Sequence, residues 1–196
     1  MDPDYSPFPP VSVPITKTTI SVQAPAQLCL EAASDFDNYL EWSRRNGMKS
    51  VRVLERDSRG RGRLVEFTAG TLGVDMRNVV EYRYPPDGAS IEFRAASGDV
   101  IQRLEGRYTF APSGPGLTTM SYELGIGFAF SLPDFAREQV GGAIARTALE
   151  ELRHYIENRA RRIQIMRRFS RGGGGGGGGG GQGGGTEADD VADPPK

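Results

Sequence analysis

From Thr16 to Gln23 the sequence TKTTISVQ is rich in β-branched residues and alternates, with Ile20 and Val22 on one side, the period of a half-buried strand. Ala24-Pro25 stops it. Between Ala26 and Arg45 the apolar positions Leu28, Ala32, Phe36, Tyr39, Leu40 and Trp42 change to helical spacing. Ser34-Asp35 and Asp37-Asn38 offer capping chemistry in mid-segment, which predicts two short helices rather than one long one, the second closed by Gly47. Six further strands are predicted over 49–55, 62–69, 74–84, 90–95, 100–110 and 117–128, separated by turns rich in Gly, Pro, Asp and Ser. Short connections between consecutive strands imply an antiparallel meander.

Alternation within the strands assigns their faces. Met76, Asn78, Val80, Tyr82 and Tyr84 share the inner face, as do Ile91 and Phe93, Leu104, Tyr108 and Phe110, and Met120, Tyr122, Leu124 and Ile126. Glu66, Asp75, Glu81, Glu92, Glu105 and Glu123 fall mainly on the outer register, predicting one wet face and one covered face. The cover is the last helix: Ser131 to Asp134 reads as a cap with proline in the first turn. Phe135, Val140, Ile144, Leu149, Leu152, Ile156 and Ile163 then recur at helical steps, and the helix can reach Phe169. Gly141-Gly142 interrupts it near its start, for close approach to the sheet, room for a ligand, or a kink.

Composition sets the limits of this domain. Five prolines among residues 1–14 make an extended arm, and 13 of the 27 glycines lie in 172–185, so the folded domain is expected over 15–171 with a disordered acidic tail over 172–196. The glycine tract is a flexible tether with a reach of about 20 Å. Net charge is −1, but 1–171 alone holds 23 basic and 21 acidic residues, which is no nucleic-acid signature, and no DNA partner is expected. No apolar run is long enough for a membrane-spanning helix, and Met1 to Pro10 lacks the pattern of a signal peptide, so a cytoplasmic protein is expected.

Candidate chemistry is sparse. The lone Cys29 excludes an intrachain disulfide and cysteine metal sites, and the only histidine, His154, lies in a charged helical stretch, so Ser-His catalysis and multi-histidine metal sites are not expected, and no cofactor is expected. Gly60-Arg61-Gly62 has no phosphate-loop pattern around it, and Arg56, Arg59, Arg61 and Arg63 read as an exposed hairpin tip. What stands out is the inner face, where Asn78, Tyr82, Tyr84, Tyr108 and Tyr122 need hydrogen-bond partners beside Met76, Phe93 and Met120. Such a wall suits a cavity whose few polar groups orient a mostly apolar ligand, and its candidate residues are Trp42, Met76, Asn78, Tyr82, Phe93, Tyr108, Met120, Tyr122 and Ile144. Arg77 and Arg83 are candidates for polarising a carbonyl, although alternation turns both outward. Arg159 to Arg171 contains six arginines and no acidic residue, interleaved with Ile163, Ile165, Met166 and Phe169, which makes an anionic surface, membrane or RNA, its expected partner.

The order of one strand, two small helices, a six-strand meander and a long C-terminal helix resembles the helix-grip fold of the START-like (SRPBCC) superfamily. Ile20-Ser-Val-Gln-Ala-Pro-Ala26, Ala33-Ser-Asp35 and Asp35-Phe-Asp-Asn-Tyr-Leu-Glu-Trp42 are similar to the opening of its polyketide cyclase/dehydrase and coenzyme Q-binding branch, and Gly114-Pro-Gly116 with Thr118 to Tyr122 to its penultimate hairpin. Leu40 stands where that branch usually has proline. The resemblance covers about residues 15–160 and implies an α+β fold, a seven-stranded antiparallel sheet wrapped around the C-terminal helix, with two short helices after the first strand. It also implies binding of a polyketide, quinone or lipid between sheet and helix. For aromatase/cyclase activity it implies a cavity arginine, whose nearest positional match is Arg83.

Overall fold

The computed structural model describes residue 8 and residues 14–43, 47–71, 74–128 and 133–172. Strand β1 (Ile15–Val22) leads into helix α1 (Ala26–Ser34), a single 3-10 turn over Phe36–Asn38 and the short helix α2 (Leu40–Ser43). Six strands follow, β2 (Met48–Arg56), β3 (Gly62–Thr71), β4 (Val74–Arg83), β5 (Ser90–Gly98), β6 (Ile101–Gly114) and β7 (Leu117–Phe128), and the long helix α3 (Asp134–Gly172) closes the fold. One antiparallel sheet in the order β1-β7-β6-β5-β4-β3-β2 holds all the strands. Because β1 lies beside β7 while β2 forms the opposite edge, residues 23–47 must cross from one edge of the sheet to the other. That crossing and α3 together make the covering layer.

Local chemistry places the crossing. The buried Thr118 hydroxyl on β7 donates to the Ala24 carbonyl at 2.7 Å, fixing the start of α1 over the sheet. Cys29, Ala32 and Ala33 are the buried positions of α1, small enough to let it sit close. The Ser34 hydroxyl turns back onto the Leu30 carbonyl at 2.8 Å, and Asn38 donates to the Asp35 carboxylate, so the chain breaks at Asp35 into a second short helical segment as the capping residues predict. Arg159 of α3 reaches the same carboxylate at 3.5 Å.

The two sheet faces divide as the alternation predicts, but the outer one is drier than expected. Cross-strand register sets Arg83, Glu92, Arg107, Glu123 and Lys17 side by side across five strands, a row of alternating sign. Arg94 with Glu105, and Arg52 and Arg77 around Glu66, add further pairs, and both these carboxylates are buried beneath their arginines rather than solvated. Phe8 lies over this face, its ring 3.9 Å from the Arg83 guanidinium and 5.1 Å from that of Arg94. Exposed ion pairs are worth about 0–1 kcal/mol each, whereas burying one large apolar side chain is worth about 1.5–3 kcal/mol, so the inner face holds the fold together. There Val65, Val80, Ile91, Phe110, Met120 and Leu124 pack beneath Ala145, Leu149, Leu152 and Ile156 of α3.

Several boundaries move. β5 continues three residues past the expected Ala95 and β6 runs on to Gly114, leaving tighter turns than the glycines suggested. α3 is unbroken through Gly141-Gly142. A Cβ on Gly141 would meet Thr16 Oγ1 at 3.4 Å and Ile126 Cγ2 at 3.6 Å, ordinary contact distances, so α3 runs close to β1 and β7 at this point. Most of the proline-rich arm, the Ser131 cap and the tail beyond 172 lie outside the described residues.

Candidate functional site

The inner face is lined by rings in mutual contact. Tyr108 and Tyr122, directly paired across β6 and β7, stack at 4.2 Å with their planes 12° apart. Phe93 on β5 lies 5.6 Å from Tyr122 and 6.1 Å from Tyr82 on β4. The crossing segment closes the cluster from above: Phe36 is 4.5 Å from Tyr82, Tyr39 is 5.3 Å from Phe67, and Trp42 is 4.3 Å from Tyr39. Space for these rings comes from glycine. Gly106 is paired with Phe93, and a Cβ there would lie 2.5 Å from Phe93 Cζ and 2.0 Å from the Glu123 carbonyl oxygen.

Four phenol groups converge in this cluster. Burial pushes the Tyr39, Tyr82, Tyr108 and Tyr122 hydroxyls above the usual tyrosine range, that of Tyr122 to about 12. Tyr122 adds to the shift at Tyr39, and Tyr39 and Tyr122 to that at Tyr82, so these groups lie within electrostatic reach of one another. Tyr108 hydrogen-bonds to Tyr122, while Tyr84 leaves the cluster and donates to the Gly62 carbonyl at 2.8 Å. Trp42 Nε1 and Asn78 Oδ1 are both buried without a hydrogen-bond partner among the described residues. An orphaned buried polar group costs about 1–3 kcal/mol, a cost a ligand with matching chemistry would remove.

A recess of about 670 Å³ opens between α2 and α3, with Trp42 and Tyr155 in its wall and Glu41, Glu151, His154, Asn158, Arg159 and Arg162 around them. Trp42 belongs both to this recess and, through Tyr39, to the ring cluster. His154 is exposed here, on the helix surface as its charged surroundings predict.

Of the expected site residues, the structure brings together Trp42, Tyr82, Phe93, Tyr108 and Tyr122. Asn78 is buried on the same face, its Oδ1 lying 2.3 Å from where a Cβ on Gly98 would be, so only glycine fits opposite it. Met76 is half-buried near the start of β4, opposite Ala69. Met120 is fully buried between Ile20 and Phe110, in the packed core. Ile144 corrects the expectation: it is 42% exposed, because α3 approaches the sheet so closely that its small neighbours Gly141 and Ala145 make the contact instead. Arg77 and Arg83 lie on the outer face, where Arg77 pairs with Glu66 and Arg83 with Glu81. Arg56 pairs with Asp37 and Arg61 with Asp57, which accounts for these two hairpin arginines. Sequence reasoning missed Tyr39, Phe36 and Phe67 as members of the cluster. Tyr39 was legible three residues before Trp42, but its contact with Phe67 depends on the path of the crossing segment.

A helix-grip sheet, a covering long helix and an aromatic inner wall define a START-like fold. The chain belongs to the family of polyketide cyclase/dehydrase and lipid transport proteins, whose model matches residues 14–157. Among solved structures, a START superfamily protein from Mycobacterium smegmatis is similar over 76% of this chain and 98% of its own, at 21% identity and a TM-score of 0.67. The Zhui aromatase/cyclase from Streptomyces sp. R1128 covers 77% of this chain and 95% of its own (17% identity, TM-score 0.61). The human StarD13 lipid transfer and protein localization domain covers 72% and 76% (15% identity, TM-score 0.56). At these identities the likeness is one of fold. No curated protein matches the sequence. Among the described residues no helix is long and apolar enough to cross a membrane.

Proposed function

We propose that this protein binds a hydrophobic small molecule, of the polyketide, quinone or lipid kind, against the inner face of the sheet, with the recess between α2 and α3 as its way in. The observation that carries this reading is the convergence of neutral phenols within an apolar ring cluster, beside an indole N–H that lacks a partner. Buried hydroxyls and an indole N–H need hydrogen-bond partners that aliphatic side chains would not, and a ligand oxygen can supply them. Ring faces suit a flat or chain-like apolar body, and hydroxyls that stay neutral at pH 7 donate to a carbonyl or quinone oxygen without the cost of burying a charge. Mass spectrometry of organic extracts from freshly purified protein tests it. A stoichiometric apolar compound is expected, and Ala148→Phe, which enlarges a half-buried α3 side chain packed on the buried core between helix and sheet, is expected to lose it. Extracts without such a compound, or unchanged by the substitution, would count against the reading.

A second reading, cyclisation of a poly-β-ketone chain, is favoured by the Tyr108–Tyr122 pair, since neutral phenols can give protons to a developing enolate. Arg83 has no part in it from the outer face. Turnover unaffected by Tyr122→Phe would remove this reading.

A further inference from the structure

The family match ends at residue 157, but α3 continues to Gly172. The last of its core residues is Ala160, so a further 12 residues, about 18 Å of helix, project past the packed domain. Their exposed apolar side chains are unusual for a projecting helix: Ile165 is 53% exposed, Met166 69% and Phe169 79%. At 100° per residue these three fall within an arc of about 100°, which also contains the other exposed apolar side chains of α3, Val140 and Ile144. Arg161 and Arg167 lie outside that arc on either side, and Arg162 lies within it. A long arginine stem can lie along an apolar surface while its guanidinium stays in the polar layer.

We infer that this projecting end of α3 docks in the plane of an anionic lipid bilayer, with Ile165, Met166 and Phe169 inserted at the boundary between headgroups and acyl chains. Charge selects this occupant. Six arginines and no acidic residue lie between 159 and 171, which suits an anionic surface and opposes pairing with a second copy of the same helix. The three apolar side chains select a bilayer over RNA, because phosphate contacts use the arginines but leave Ile165 and Met166 in water. The acidic tail, with Glu187, Asp189, Asp190 and Asp193, also matches the charge, but it carries only one large apolar residue, Val191, to cover the stripe. A bilayer contact along this arc would also set the recess between α2 and α3 beside the lipid, since Glu151, Tyr155 and Asn158 of its wall lie in or at the edge of the same arc.

Flotation of the full chain with vesicles tests the assignment. With vesicles of phosphatidylcholine containing 30% phosphatidylglycerol the protein is expected to float at 0.1 M salt, and to float much less at 0.5 M salt or with phosphatidylcholine alone. Phe169→Ser and Ile165→Ser are each expected to lower partitioning about tenfold or more, and Arg161→Gln and Arg167→Gln about fivefold each. All four side chains are exposed, so unchanged circular dichroism and melting temperature would confirm that folding is intact. Absence of flotation with the anionic vesicles overturns the proposal, as does flotation insensitive to Phe169→Ser and Ile165→Ser. Absence of vesicle binding alongside tight binding to single-stranded RNA, or alongside a Phe169-dependent dimer in sedimentation, would replace the bilayer with that partner.

Discussion

Phe93 and Gly106 show how one missing side chain shapes the inner face. A methyl group on Gly106 would overlap both the Phe93 ring and the Glu123 backbone, and the backbone cannot yield cheaply in the middle of a sheet. Gly106→Ala is therefore expected to destabilise the protein by about 2–3 kcal/mol, seen as a lower midpoint in urea denaturation. A neutral or stabilising effect would mean that Phe93 does not occupy this site. At this scale the sequence was partly legible. Alternation alone assigned Tyr82, Phe93, Tyr108 and Tyr122 to one face, because the register shifts of these strands lie away from those four residues. It had no way to show that the empty position at Gly106 is what Phe93 fills, since that depends on cross-strand register.

Helix α3 was legible in kind and direction, and Leu149, Leu152 and Ile156 of its apolar stripe are buried as the spacing predicts, but Val140 and Ile144 near its start are not. Its apolar spacing pointed to Ile144, and only the closeness of β1 and β7 explains why Gly141 and Ala145 take the contact instead. At Gly142 there is room for a side chain: a Cβ would meet only Thr16 Cγ2, at an ordinary 3.7 Å. Relief of the helix-propensity cost of glycine should then dominate, and Gly142→Ala is expected to stabilise by about 0.5–1 kcal/mol in the same denaturation assay. Destabilisation would show that α3 has to approach more closely than these distances allow. The break between α1 and α2 was readable because Asp35, Asn38 and Ser34 use local hydrogen bonds that need no tertiary context.

For the whole molecule, the α+β architecture was recoverable from periodicity and turn chemistry, and the helix-grip arrangement from the opening motif. Closure of the cluster by Tyr39 and Trp42 was not, because it arises from the chain crossing from one sheet edge to the other. The buried phenols make stability depend on alkaline pH. Tyrosines of the unfolded chain ionise near pH 10, whereas burial holds Tyr82, Tyr84, Tyr108 and Tyr122 neutral to higher pH. Their contribution is fully present below pH 10, and above it the unfolded state binds fewer protons, so stability falls by about 1.4 kcal/mol per pH unit for each such group. Urea denaturation at pH 8, 10 and 11.5 should show this fall, with a shallower slope for Tyr122→Phe; a flat profile would place the hydroxyls in water. The most direct test of the ligand-binding account uses Trp42, the sole tryptophan, which joins the recess to the ring cluster. Its fluorescence should be followed while a long-chain fatty acid, a quinone and an aromatic polyketide are each titrated in. A saturable change at one equivalent for at least one of them, lost in Ala148→Phe, is the result predicted here. Emission that changes with none of the three, or changes equally in the variant, would contradict a ligand held between the sheet and α3.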